Sequence, residues 1–535
     1  MAAEEGKKKR KKISIFSKKK DRQAAAEGKA LTRDDERRAL RRTNREIMMV
    51  SYVFLLLFVV MAGYMIRFVY RDADLYKNDS RNAKRMKQLE NKFLRGDIMA
   101  ADETVLATTS VTEDGGESRS YPLGQTFAHV VGYTGRGTTG IEGMANSYLQ
   151  DSHTNPALRI VEALRGIKSS ADSVITTLDV GLQETAYSAL SGHSGAIVVM
   201  EPGTGKVLAM VSRPGFDPNT LEEDWEVLTS ESNTSSNLVN RATQGLYTPG
   251  STFKVFTALE FLREYPYNYN EYSFSCDNVY EAGEYSIKCA HGVAHGNVDL
   301  SEAFAESCNG AFADIGQQLN FKEFMQTCEE AGFNTSLKTR VPIAKNHFVL
   351  DSNDSQWDVL QTSIGQGETQ LTPMFNAMVA SAVANGGTMM NPYVIDRVLS
   401  KYREKVASFG PARLRRIMSK DEARILKEYM DACVAYGTGD DAAGEGYHAY
   451  GKTGSAQTRS DRETNAWFIG WAEDSRDPER KVAVSIVVEE GGSGGSVAAP
   501  IAKQIFEEWR NRDLSEEQYG NDAQEEDASD EDLVG

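Results

Sequence analysis

From Ile47 to Ile66 the chain reads IMMVSYVFLLLFVVMAGYMI, without one charged side chain. A helix of roughly twenty residues rises about 30 Å, the thickness of a bilayer's hydrocarbon core. The run therefore predicts one transmembrane helix, assigned to residues 47–69. It exceeds the roughly 7–15-residue apolar core of a cleaved signal peptide, and no small-x-small site follows, so it reads as a signal anchor. A buried core helix, the alternative, would carry a polar face. Lysine and arginine crowd its N-terminal side, in GKKKRKKISIFSKKKDR and RRALRRTNR. That side is expected to be cytoplasmic, and the rest of the chain extracytoplasmic. No second span is apparent, so the protein reads as single-pass.

The formal net charge of −17 is unevenly spread. Residues 1–46 form a basic tail and residues 512–535 an acidic one. Blocks of like charge repel and bury little, so both are expected to be disordered. The basic tail is also suited to anionic headgroups, at about 1 kcal/mol per residue near the surface.

The rest of the chain is long enough for more than one domain. Residues 70–90 are polar and helix-prone, a stalk; residues 91–172 mix short β-like runs with Gly-rich turns such as YPLGQTFAHVVGYTGRGTTGIEG. At Ser173 the texture changes. SVITTLDVGLQETAYSALS reads as a strand, a capping Asp179 and an amphipathic helix. SGAIVVMEPGTGKVLAMVS reads as a hairpin, NAWFIGWAED and KVAVSIVVEE as a second strand pair, and APIAKQIFEEWRN as a closing helix. Strand pairs at both ends with helices between them predict an α+β domain over residues 173–511, with an antiparallel central sheet and flanking helices.

Of the five cysteines, Cys276 and Cys289 bracket DNVYEAGEYSIK, whose turn residues predict a hairpin that brings them close enough for a disulfide. A zinc set of Cys276, Cys289, His291 and His295 is the alternative, although the spacing fits no standard finger. Cys308, Cys328 and Cys433 read as isolated buried thiols.

In TPGSTFKVF, a proline and a glycine interrupt the chain just before a helix-like run. Residues i and i+3 share a helix face, so Ser251 lies beside the Lys254 amine. A serine hydroxyl needs a neighbouring base to act as a nucleophile. A lysine can be that base if burial or nearby positive charge lowers its pKa. Free N–H groups at the helix start favour the negative charge that develops in acyl transfer. S-x-x-K alone is common by chance. Two further elements lie downstream: ESCNGAF, with Ser307 and Asn309 as S-x-N, and GKTGSAQT, with Lys452, Thr453 and Gly454. The trio in this order marks penicillin-binding proteins and class A β-lactamases.

With NRATQGLYTPGSTFKVFTALEFL, GQGETQLTP, GKTGSAQT and AWFIGWA, the chain resembles the penicillin-binding transpeptidase (serine β-lactamase-like) domain over roughly residues 173–510. RGDI at Arg95 and Gly96, RSYPLG at Arg119, and GTTGIEG with Gly140 and Glu142 resemble the motifs of the small, dimerisation-like pedestal of class B penicillin-binding proteins, placed with the stalk in residues 70–172. Here the first motif continues MAADETVLA, a partial match. A pedestal of this length leaves no room for the glycosyltransferase domain of a class A enzyme.

The resemblance implies a peptidoglycan D,D-transpeptidase of the bacterial cytoplasmic membrane. Ser251 would attack the D-Ala-D-Ala bond of a stem peptide, and Lys254 would take its proton. Ser307 would relay a proton to the leaving amine beside Lys452, and Asn309 would hold the substrate backbone. Thr453 and Ser455, flanking Gly454, would hold the terminal carboxylate. The N–H groups of Ser251 and Ser455 would form the oxyanion hole. A neighbouring stem amine would then take the acyl group. The implied partners are stem peptides, β-lactams, the membrane and a SEDS-family glycosyltransferase; no nucleic acid, metal or organic cofactor is expected. Cys308 inside S-x-N and Ser455 in place of the usual threonine depart from the pattern without removing a catalytic group.

Rival readings are weaker. A class A β-lactamase needs the glutamate of an E-x-x-L-N stretch, and the one Leu-Asn pair, Leu319-Asn320, has Gly316 at that position. A D,D-carboxypeptidase would use the same groups with water as acceptor. A non-enzymatic anchored scaffold would have no use for an intact trio.

Overall fold

The computed structural model describes residues 33–71, 92–112, 115–165, 168–350, 355–457 and 462–512. Residues 72–90 of the stalk, residues 513–535 of the acidic tail and most of the basic tail lie outside them. The chain divides into two units, Met1–Asp79 and Ser80–Gly535. In the first, α1 (Arg33–Arg71) is one continuous helix. Within it Asn44–Phe68 is long and apolar enough to cross a membrane.

The second unit is built on a five-stranded antiparallel sheet. Its strands are β1 (Gly195–Met200), β2 (Val207–Arg213), β3 (Tyr447–Ala456), β4 (Asn465–Asp474) and β5 (Lys481–Val488), in the order β3-β4-β5-β1-β2. Hairpin turns join β1 to β2 and β4 to β5, and the two pairs meet where β5 bonds to β1. β4 is buried along its whole length. Helices cover both faces, which is why the strands read as unbroken apolar runs and not as alternating ones. On one face lie α2 (Val180–Ala189), whose N-cap is Asp179, and the closing helix α7 (499–512). On the other lies α5 (Pro373–Ala384), in which every residue is buried. A helix apolar on all sides belongs in a core, and α5 is the central one.

Beyond α5 stands α3 (Lys254–Glu264), buried from Lys254 to Leu262. Phe253 and Phe256, at its start, pack with Phe324, Phe333, Phe348 and Phe375. This aromatic cluster fixes the start of α3 against the core. Aromatic side chains contribute the largest apolar areas to a core, so the anchorage is stiff. Two further helices flank it, α4 (Asn309–Gln318) and α6 (Lys420–Ala435), the latter opened by a capping box of Ser419 and Glu422.

The segment before Ser173 forms a second sheet that is not built from local chain alone. Its six strands run Lys405–Ser408, Ile395–Leu399, Ser173–Thr176, Ile98–Met99, Val105–Val111, Glu117–Ser120. Two strands thus return from far along the chain to pair beside Ser173–Thr176.

The three short pedestal motifs converge on one carboxylate. Glu142 is fully buried, in the short helix that Gly140 begins. It accepts from Arg95 Nε at 2.7 Å, from Arg119 Nε at 2.8 Å and from Tyr121 Oη at 3.2 Å. Arg119 also donates to the Gly96 carbonyl at 2.8 Å. A buried acid between two guanidiniums is satisfied; without it, two nearly buried cations face each other. Glu142→Ala is expected to cost roughly 3–5 kcal/mol. The check is the denaturant midpoint of the full chain, and an unchanged midpoint would show that the network carries no stability.

Candidate active site

S-x-x-K occupies a tighter turn than a regular helix start. Gly250–Phe253 is a 3₁₀ turn, and α3 proper begins at Lys254. With about three residues per 3₁₀ turn, positions i and i+3 eclipse, so Ser251 and Lys254 stack more directly than α geometry would place them. Ser251 is half-buried, at the surface end of the turn. Thr252 Oγ1 donates to the Pro249 carbonyl at 2.8 Å and closes the turn. Gly250 N donates to the Gly365 carbonyl at 2.9 Å. Gly365 has φ +79°, and a Cβ there would lie 1.8 Å from the Gly250 oxygen. Only glycine fits at that crossing.

S-x-N is bent around the same amine. Ser307 has φ +55°, a left-handed conformation that costs a serine about 1–2 kcal/mol. The bend turns Ser307 and Asn309 towards Lys254, and it turns Cys308 away. Lys254 Nζ donates to the Ser307 carbonyl at 2.7 Å, to Ser307 Oγ at 3.2 Å and to Asn309 Oδ1 at 2.8 Å. Its amine also lies 5.2 Å from the centre of the Phe312 ring. Burial drives its pKa well below that of an ordinary lysine, and the nearby Lys452 charge pushes the same way. Asn309 Nδ2 donates to the Lys288 carbonyl at 2.9 Å, which fixes its amide.

K-T-G lies on β3, directly over the 3₁₀ turn. A Cβ on Gly454 would sit 3.1 Å from the Pro249 oxygen and 3.2 Å from Thr252 N, so a side chain there would push strand and turn apart. Lys452 is fully buried, its amine 5.5 Å from the centre of the Phe304 ring, and burial lowers its pKa. Thr453 Oγ1 is 2.5 Å from Thr438 Oγ1. Ser455 Oγ accepts from Gly494 N at 3.2 Å, and its carbonyl accepts from Gln366 Nε2 at 3.1 Å. Ser251, Lys254, Ser307, Asn309, Lys452, Thr453, Gly454 and Ser455 therefore gather at one edge of the sheet. The arrangement presents a hydroxyl at a helix start, a buried amine of low basicity, a second hydroxyl and a second buried cation. Such a set can transfer an acyl group through a serine ester.

Short motifs gave no warning of the supporting side chains. Thr438, which bonds Thr453, and the two phenylalanines beneath the amines carry no spacing signal. Gln366 lies within GQGETQLTP and joins that loop to β3 through Ser455 and Gln457. A cleft opens beside Asn309, lined also by Lys288, Trp357, Gln366 and Gln457.

The expected disulfide is not formed. The hairpin Val279–Ala282/Tyr285–Lys288 does bring Cys276 and Cys289 together, but their sulfurs are 3.6 Å apart and all five cysteines are free. A disulfide bond is about 2.05 Å long. Cys308 is not isolated either: its sulfur is 3.8 Å from that of Cys289. His291 is exposed and turns out of the group.

Residues 195–507 match the penicillin binding protein transpeptidase domain, and residues 95–174 match the penicillin binding protein A dimerisation domain. The chain is 31% identical to the peptidoglycan D,D-transpeptidase PbpA of Mycolicibacterium smegmatis, over 81% of this chain and 92% of that one. It is 27% identical to the D,D-transpeptidase MrdA of Acinetobacter baumannii, over 82% and 73%. Among solved structures, a D,D-transpeptidase domain from Eggerthella lenta superposes with a TM-score of 0.70 at 30% identity, over 78% of this chain and 98% of that one. Penicillin-binding protein A of M. tuberculosis, solved as a penicillin G acyl-enzyme complex, does so with a TM-score of 0.69 at 28% identity, over 78% and 99%. With a dimerisation domain ahead of its transpeptidase domain, the chain belongs to the class B penicillin-binding proteins.

Proposed function

We propose that this protein is a serine-type peptidoglycan D,D-transpeptidase, and a β-lactam target, whose nucleophile is Ser251. The observation that carries the reading is the Lys254 amine, fully buried three residues after Ser251 and held by Ser307 and Asn309 of S-x-N. Lowering a lysine's pKa enlarges its neutral fraction, the form that can accept a proton.

Lys254 takes the proton of Ser251 as its oxygen attacks the carbonyl between the last two D-alanines. The oxyanion faces the N–H groups of Ser251 and Ser455, at the start of the turn and on β3. Ser307, already bonded to Lys254, passes a proton to the departing nitrogen, and the C–N bond breaks to release D-Ala. Lys452 supplies positive charge, while Thr453 and Ser455 hold the substrate carboxylate. An amine from a second stem then attacks the ester, forming the crosslink and returning the proton to Ser251. A β-lactam enters the same first step and stays as the acyl-enzyme. The reaction as drawn uses no glycosyltransferase domain. The helix Asn44–Phe68 serves as a single-pass anchor with its Lys/Arg-rich side cytoplasmic, supported by the flanking charge. A SEDS-family glycosyltransferase is the implied membrane partner, by family resemblance.

Labelling of the full chain by a fluorescent penicillin is expected to give a stable band. Ser251→Ala is expected to reduce it at least about a thousandfold. A band of equal strength in the mutant would remove Ser251 from the mechanism.

The sign of the pH dependence follows from Lys254. The base form grows as pH rises through its lowered pKa, so the acylation rate should rise with pH, with a midpoint well below about 10.4. Lys452→Met removes a charge that disfavours Lys254-H⁺, so it should move the midpoint up as well as slow the reaction. Acylation rates across a pH series check both; a midpoint unmoved in the mutant would show that the two amines are not coupled.

A further inference from the structure

The helix Pro156–Leu164, PALRIVEAL, is inside out. Leu158, Ile160, Val161 and Leu164 are 40%, 61%, 43% and 83% exposed. With the exposed Ala157 they fall in one arc of about 160° at 3.6 residues per turn. The helix turns charged side chains to the protein instead. Glu162 is buried and accepts from Lys401 Nζ at 2.7 Å and from Tyr402 Oη at 2.9 Å. The Arg159 guanidinium lies 5.9 Å from the centre of the buried Phe93 ring. A surface helix normally does the reverse, with its apolar stripe inward and its charges in water. A contiguous apolar face left open in this way marks an interaction site.

We propose that this face docks on the surface of the membrane, with its apolar side chains set among anionic lipid headgroups. The inference rests on the reading of α1 as a membrane anchor and is independent of Ser251.

Two observations choose the bilayer as the occupant. The first is where the chain arrives. Residues 72–91 lead from Arg71, the end of α1, to Lys92. Lys92 and Phe93 are therefore the described residues of the second unit closest to the span along the chain, and Arg159 seats the helix on Phe93. The second is charge. Arg165 follows Leu164 at the border of the apolar arc and is exposed. Lys92, also exposed, holds its amine 5.2 Å from the centre of the same Phe93 ring. Glu162 is the one carboxylate on the helix, and Lys401 pairs with it. An apolar stripe with a basic border suits a helix that lies in the headgroup plane. A second copy fits less well, because a two-fold contact sets the same patch against itself and brings the basic borders together.

The contact would bear on more than the pedestal. The helix lies in the part that matches the dimerisation domain, residues 95–174. Lys401 and Tyr402, which hold Glu162, lie in the part that matches the transpeptidase domain, residues 195–507. They stand between the strands Ile395–Leu399 and Lys405–Ser408, which pair beside Ser173–Thr176. A docked helix would hold both parts at the headgroups and limit the tilt of the catalytic cleft over the bilayer.

The test uses the full chain reconstituted into vesicles. Ala157→Cys places one reactive thiol within the apolar arc, while the five native cysteines are buried. A nitrobenzoxadiazole label there is expected to emit as in an apolar medium and to be quenched by brominated lipids, at a depth of about 5–10 Å. The same label at Tyr267→Cys, on a 95% exposed side chain after α3, should stay in water. Quenching should be stronger with phosphatidylglycerol than with phosphatidylcholine alone. It should weaken between about 0.1 and 1 M salt, where the screening length falls from about 10 to 3 Å. Ile160→Ser/Leu164→Ser, in exposed positions, should lower the ratio of docked to free label at least about tenfold. A label that reports water in vesicles, in a chain that resists alkaline extraction, overturns the docking and leaves the anchor intact. A label that is shielded but not quenched by brominated lipid shows protein on this face, from a second copy or from residues 72–91, and also overturns it. A chain that alkali extracts overturns the anchor reading and the docking with it.

Discussion

The site turns on one buried amine. Lys254 lies in the core side of α3, out of contact with solvent, and its hydrogen bonds go to a single short segment, Ser307 to Asn309. A charged amine in such a place is costly unless every donor finds an acceptor. Three acceptors are supplied, so the site tolerates the charge, and burial keeps the neutral form within reach. Both states are needed by a group that first takes a proton and later returns it. The same hydrogen bonds join two chain segments about fifty residues apart in sequence, so the chemistry and the local fold share one set of contacts.

Close backbone packing does for the third motif what hydrogen bonds do for the second. β3 crosses the 3₁₀ turn at Gly454, and the loop at Gly365 crosses it from another side. A Cβ would collide outright at Gly365, and at Gly454 it would force strand and turn to give by a few tenths of an ångström. Beneath the turn, the cluster around Phe253 and Phe256 resists displacement. Ser251 is therefore held on a turn whose position is set by strand, loop and core together. Preorganisation of this kind lets N–H groups stabilise a developing oxyanion without reorganising at the moment of reaction.

Much of this was legible in the chain. The apolar run predicted a spanning helix, and α1 contains it. The two strand pairs and the closing helix lie where their apolar patterns placed them, because strands covered on both faces must be apolar throughout. The helix after TPGS was legible too, though not the 3₁₀ turn at its start: backbone tightening depends on contacts with Gly365 and β3, which no local pattern records. The second sheet was less legible. Its strands at Ile395–Leu399 and Lys405–Ser408 come from distant chain, and pairing over such separations leaves no trace in a single sequence.

The cysteines divide the two kinds of information most clearly. Turn residues between Cys276 and Cys289 were enough to predict a hairpin and the meeting of those two thiols, since a hairpin is a local structure. Local chain could not say that Cys308 would arrive from the cap of α4, or that His295 and not His291 would face inward. Those outcomes depend on how α4 packs against the hairpin and on the register of the strand after His295. By itself the sequence determined the residue types the chemistry requires, the membrane-spanning run and the elements with strong local periodicity. The tertiary structure alone decided which distant side chains share a point in space, because that is set by packing and backbone crossings between segments far apart in the chain.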